Sequence, residues 1–220
     1  MRKALLPVLV IVAAVGAASD GGRILTRAPE SPDPAGRYVF YLHGRIIEVQ
    51  GTKAESPEFG AYDYDGILEA LSAPGFTVIA EVREDGAGRE FAVETARQVR
   101  DLLQAGVPPR NVTVVGFSKG GMLAVGVSTL VGSDEVGYVI LAGCSPDERW
   151  VSRVAPRVRG RFLSLFDRSD RLSPSCEPLY AAAKQLHETK EQVFETGLDH
   201  GLFYRPRSDW LDQVFAWARD

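Results

Sequence analysis

The chain has 220 residues, which suits one domain of ordinary size with a sizeable core. Hydrophobic residues make up 45% and charged residues 25%, the balance of a soluble globular protein. The net charge of −4 shows no basic surplus, which argues against nucleic acid as a partner.

The first nineteen residues form a different kind of sequence. Arg2 and Lys3 are followed by an uncharged apolar run, Leu5 to Ala18, then by small residues and Asp20. This layout predicts a secretory signal peptide, 1–19, cleaved near Ala18 to Asp20. The alternative is an uncleaved anchor, against which stand the shortness of the run and Pro7 inside it. The remainder contains no stretch apolar enough for a stable membrane span. Export, secreted or periplasmic, makes Cys144 and Cys176, the only two cysteines, a candidate disulfide. Two free thiols are the alternative.

Residues 20–36 are rich in Pro, Gly and Ser and read as a linker or N-terminal arm. Arg37 to Leu42 is apolar and β-prone, a buried strand ending at His43-Gly44. Arg45 to Gly60, with Gly51, Pro57 and Gly60, reads as a long loop. A helix is predicted over Tyr62 to Ala73, stopped by Pro74-Gly75, and a strand over Phe76 to Val82. Glu90 to Ala105 has helical spacing and closes at Gly106.

Val112 to Gly116 is a β-branched strand, and Lys119 to Val131 the helix behind it. Strands follow at Val136 to Ala142 and Arg161 to Phe166. A helix over Pro178 to Glu188, a short strand over Glu191 to Glu195 and a helix over Ser208 to Arg219 complete the pattern. Strand and helix alternate, and several strands are continuously apolar. That predicts an α/β fold: a mostly parallel sheet of about six strands with helices on both faces, in one domain over 37–220. Only about eighteen residues separate Ala142 from Arg161, too few for a large cap domain.

The join between central strand and helix is Gly116-Phe117-Ser118-Lys119-Gly120, a G-x-S-x-G sequence. A serine on a strained strand-to-helix turn needs neighbours with almost no side chain two residues before and after. It also sits at a helix N-terminus, where free N–H groups favour developing negative charge. A hydroxyl at its ordinary pKa needs a base. Of three histidines, His187 lies in a charged helical stretch, while His43 ends a strand. His200 lies in a loop, Gly197 to Gly201, beyond the last strand, from which an imidazole can reach Ser118. The acid that orients the base falls in Asp167-Arg168-Ser169-Asp170 after a strand end. Asp170, in the turn, is favoured over Asp167, whose other reading is a structural turn residue. Two backbone donors would hold an oxyanion: the N–H of Lys119 and that of Arg45, or Ile46, after His43-Gly44.

Taken together, the strand ending in His43-Gly44, the elbow at Ser118, the acid at Asp170 and the His200-Gly201 loop resemble the α/β-hydrolase superfamily. The small size and missing cap are most similar to its dienelactone hydrolase and carboxylesterase branches. The resemblance spans roughly Arg37 to Asp220, with reduced N-terminal strands and with Asp167 where many members have glycine. It implies a serine hydrolase acting on a small-molecule carboxylic ester through a Ser118–His200–Asp170 triad, without a cofactor. A thioesterase or peptidase with the same triad, or a catalytically silent binding protein, are the alternatives. No H-E-x-x-H or Cys/His cluster points to a metal, and no phosphate loop or dinucleotide fingerprint is present. Phe59, Tyr62, Tyr64, Phe203 and Tyr204 either line an acyl pocket or pack around its rim.

Overall fold

A computed structural model describes residues 22–173 and 175–220. The expected signal peptide lies outside them. In chain order the elements are β1 (Arg23–Leu25), β2 (Tyr38–Leu42), α1 (Arg45–Gln50), β3 (Glu55–Ser56), β4 (Gly60–Ala61), α2 (Tyr64–Ser72), β5 (Thr77–Ile79) and α3 (Arg89–Gln104). Then come β6 (Val112–Phe117), α4 (Lys119–Val131), β7 (Gly137–Leu141), α5 (Glu148–Val154), β8 (Gly160–Asp167), α6 (Glu177–Ala182), β9 (Leu186–Phe194) and α7 (Ser208–Arg219). A 3-10 segment, Asp199–Tyr204, joins the last strand to the last helix.

Among the described residues the main sheet has seven strands in the order β1-β5-β2-β6-β7-β8-β9, and every pairing in it is parallel. Period-two alternation splits each strand between two cores. Val39, Tyr41, Val115 and Phe117 face α2 and α7, where Ile67, Leu71, Trp210 and Trp217 pack. Phe40, Leu42, Val112 and Val114 face α3 and α4, where Val99, Leu102, Ala124 and Val127 pack. A parallel sheet buried on both faces is the arrangement that such apolar strands require.

The strand order reverses direction between β2 and β6. The chain leaves β2 towards β5 on one side, and later leaves β6 towards β7 on the other. A crevice opens at such a switch point outside the carboxyl ends of the two strands. His43-Gly44 and Ser118 stand at those two ends.

Several expectations are corrected. The described residues add a seventh strand to the six expected: Arg23–Leu25, inside the expected arm 20–36, pairs with Thr77–Ile79 as an edge strand. The expected loop Arg45 to Gly60 folds into α1 and most of a small antiparallel hairpin, β3 with β4. The helix expected over Pro178 to Glu188 ends at Ala182. His187 lies instead, exposed, on β9, which begins at Leu186. The segment between β7 and β8 holds the short helix α5 and no cap domain.

Cys144 and Cys176 form a disulfide with their Cα atoms 5.3 Å apart. Both are buried. The bridge closes a 32-residue separation that contains α5, β8 and the turn carrying Asp170. Ser173 Oγ donates to Cys144 O at 2.9 Å within the same loop, so the turn is tied at two points. Loop-closure entropy for a ring of this length corresponds to about 3–4 kcal/mol. Reduction, or the Cys144→Ser/Cys176→Ser pair, should therefore lower the unfolding free energy by about 3 kcal/mol in denaturant titrations. An unchanged midpoint with and without reductant would contradict the bridge.

Candidate active site

β6 runs directly into Ser118, whose backbone is at φ 54 and ψ −121. A non-glycine residue here costs on the order of 1–3 kcal/mol and persists only where its surroundings impose it. They do so through close backbone contact. A Cβ on Gly116 would lie 2.2 Å from Gly120 O, and one on Gly120 would lie 1.9 Å from Leu42 O. Ser118 N–H donates to Leu141 O at 2.9 Å, and Ser118 O accepts from Gly121 N at 2.8 Å. Ser118 is the N-cap of α4, but its side chain makes no cap hydrogen bond, so the helix does not engage the hydroxyl of this half-buried residue.

The expected base and acid meet. His200 Nδ1 and Asp170 Oδ2 are 2.8 Å apart, and both side chains are nearly buried. The other carboxylate oxygen of Asp170 accepts from Leu172 N at 2.8 Å and Ser173 N at 3.0 Å. With Nδ1 bonded to the carboxylate, Nε2 is the free nitrogen of His200. The imidazole lies against Phe117, the residue before Ser118, with ring centroids 4.8 Å apart. Among the described residues Ser118 Oγ has no hydrogen-bond partner, so the serine–imidazole bond itself is not formed here. Such bonds are often long without substrate and tighten in the complex.

Asp167, the less favoured acid, is buried and fully engaged elsewhere. It accepts from Ser169 N and Oγ with one oxygen and from Thr196 N and Oγ1 with the other. Ser169 Oγ in turn accepts from Asp199 N at 3.1 Å. Asp167 thus pins the turn that carries Asp170 to the loop that carries His200. Burial raises its pKa, but these hydrogen bonds outweigh burial and hold it down at about 2.

The expected oxyanion donors are the first residues of two helices, Arg45 of α1 and Lys119 of α4. The N–H groups of a first turn have no intrahelical acceptor. The two helix starts abut, since a Cβ on Gly44 would lie 3.6 Å from Ser118 Cβ. The corner at His43-Gly44 is fixed by bonds that the sequence did not reveal. Arg83 N–H donates to His43 Nε2 at 3.0 Å, which leaves the proton on Nδ1. Nδ1 then donates to Gly44 O at 2.8 Å. Burial, followed by the Arg83 charge, pulls His43 down to about 4, so the ring is neutral near pH 7. Arg83 also bonds His43 O and the Glu48 carboxylate, and Glu48 takes a second bond from Lys119 Nζ at 2.5 Å. The Lys119 ammonium is therefore committed to Glu48.

Four of the five aromatics left open by the sequence are packing residues: Tyr62, Tyr64, Phe203 and Tyr204 are buried. Phe59 is half-buried beside His200, with ring centroids 6.1 Å apart, and touches Gly201. A hollow of about 350 Å³ lined by Lys53, Tyr62, Tyr64 and Arg205 opens nearby, but Ser118, Asp170 and His200 do not line it. The described residues hold no cluster of three or more His, Cys, Asp or Glu placed for a metal ion.

The depressed Asp167 pKa fixes a sign. The folded chain keeps the carboxylate ionised where the unfolded chain, at 3.8, takes a proton. Its stabilisation, about 2 kcal/mol, is present above pH 4 and lost as pH falls towards 2. Asp167→Asn should therefore cost about 2 kcal/mol or more at pH 7, and the gap to wild type should narrow from pH 4 towards 2 in unfolding titrations. A constant gap would contradict this role.

No protein-family model and no curated protein matches this sequence. Solved structures do match in shape. A protein described as a dienelactone hydrolase from Klebsiella pneumoniae superposes with TM-score 0.57 at 13% identity, covering 84% of this chain and 88% of that one. A monoacylglycerol lipase from Paleococcus ferrophilus gives 0.57 at 14%, covering 83% and 95%. An esterase from a Rhodococcus species gives 0.52 at 15%, covering 86% and 93%. With its parallel sheet, its covering helices and the strand–turn–helix at Ser118, the chain has the α/β-hydrolase fold.

Proposed function

We propose that this protein is a serine hydrolase that cleaves carboxylic esters through an acyl-enzyme. The observation that carries the reading is the pairing of His200 with Asp170 at 2.8 Å beside a serine held at φ 54 at a helix start. Ser118 Oγ attacks the acyl carbon, and its proton passes to His200 Nε2. Asp170 holds the imidazolium and its tautomer. The carbonyl oxygen becomes an oxyanion that accepts from the N–H groups of Arg45 and Lys119. The leaving alcohol takes the proton from His200 as the C–O bond breaks. Water then gives a proton to His200 and attacks the acyl carbon; as the C–Oγ bond breaks, His200 returns the proton to Ser118 Oγ and the acid leaves.

The missing cap favours small or accessible esters, since nothing between β7 and β8 closes over the crevice. We place this role outside the cytoplasm: the pattern of 1–19 reads as a signal peptide, and a buried disulfide suits an oxidising compartment. The resemblances to an esterase and a lipase support the ester class.

Ser118→Ala should lower turnover of a p-nitrophenyl ester by about 10⁴-fold or more, with the fold unchanged by circular dichroism. Asp170→Asn should lower kcat by roughly 10³- to 10⁴-fold, because the wrong imidazole tautomer then faces Ser118. Turnover within a few-fold of wild type in Ser118→Ala would overturn the reading.

A further inference from the structure

Behind the crevice lies an ionic cluster that the hydrolytic steps do not use. Glu48 sits on α1, Arg83 follows β5 and Lys119 begins α4. The side chains of Glu48 and Arg83 are 0% exposed, and that of Lys119 is 25% exposed. Arg83 Nε donates to Glu48 Oε1 at 2.9 Å, and Lys119 Nζ donates to Glu48 Oε2 at 2.5 Å. Burial raises the Glu48 pKa, but the bonds from Lys119 and Arg83 outweigh it and keep the carboxylate ionised.

Such a cluster is a poor way to gain stability. Burying charges carries a heavy desolvation penalty, and apolar residues of the same volume often do as well. Its geometry offers another account. We propose that Glu48 is a positioning residue, whose carboxylate, clamped by Lys119 and Arg83, sets both N–H groups that meet the oxyanion. This rests on the serine-hydrolase reading.

Each arm of the clamp reaches one donor. Through Lys119, Glu48 fixes the first residue of α4, whose N–H follows Ser118. Through Arg83, it fixes His43, and His43 Nδ1 bonds the carbonyl of the Gly44–Arg45 peptide. In a trans peptide the N–H points opposite to its C=O. Gly44 O, which also accepts from Ile47 N at 3.3 Å, is held on one side of that peptide, so the Arg45 N–H faces the other. The chain of bonds runs from Arg83 through the imidazole to that peptide, so each bond polarises the next. The cluster also carries two cations against one carboxylate beside a neutral His43. One positive charge remains in excess behind the place where an oxyanion would form, in a site where charge is poorly screened.

The test compares Glu48→Gln, Lys119→Met and Lys119→Arg with wild type, counting active sites with a fluorophosphonate so that misfolded protein does not register. Lys119→Met should lower kcat per labelled site about tenfold or more with KM within about twofold. Phenylboronic acid, whose tetrahedral serine adduct places an oxygen at the same donors, should lose affinity by a similar factor. Lys119→Arg should recover most of both. Glu48→Gln should show a larger loss of the same kind; if it does not fold, Lys119→Met decides alone. Wild-type kcat and boronate affinity in folded Lys119→Met would overturn the inference. Ester turnover retained in Ser118→Ala would instead remove the reading beneath it.

Discussion

Ser118 can hold its left-handed backbone only because two other backbones press against its neighbours. Gly120 lies so close to Leu42 that a single methyl group would sit 1.9 Å from the carbonyl oxygen. Gly121 and Gly143 also approach each other closely, each leaving under 3 Å for a Cβ facing the other's Cα. These contacts join β2, β6 and the end of β7 into one rigid edge. The strain at Ser118, on the order of 1–3 kcal/mol, is offset by the long apolar strands that meet there. The rest of the fold keeps that edge fixed: α4 and α3 cover one face, and α7 and α2 the other.

Around this edge the chain spends its polar groups on loops rather than on the sheet. Asp167 fastens the turn of Asp170 to the loop of His200, and the disulfide fastens the same turn to the end of β7. On the opposite side of Ser118, His43 and Arg83 fasten the corner after β2. Loops are normally the mobile parts of a domain. Here the three that converge on Ser118 are each cross-linked by buried hydrogen bonds, which is what preorganised electrostatic stabilisation needs. The two buried groups inside these links, Asp167 and His43, also tie the site to pH. Their pKa values, about 2 and about 4, make both links weaken in acid.

What could be read from the sequence was what is local or periodic. The elbow was legible because Gly116 and Gly120 bracket Ser118 at fixed spacing. The helices Lys119–Val131 and Ser208–Arg219 fall at the expected residues because their apolar patterns and ends are clear. One edge strand was missed and the other, expected over Glu191 to Glu195, was cut short, for a physical reason. β1 has three residues followed by a Pro-rich stretch, and the first half of β9 is exposed and charged, as an edge strand that resists further pairing tends to be. Its charge pattern therefore read as a helix surface. α1 was hidden because it is six residues long, with glycine at either end. The Glu48–Arg83–Lys119 cluster had no local signal at all, since its members are 35 and 71 residues apart. Nothing in a lone Glu or Arg marks it as destined for burial.

The central claim is that Ser118 is an activated nucleophile. It is tested most directly by treating the folded protein with a fluorophosphonate and mapping the adduct by peptide mass spectrometry. The account predicts one adduct per chain, on the peptide that carries Ser118, blocked by prior incubation with an ester that acylates the enzyme. No adduct, or an adduct on a different serine at the same rate, would contradict it.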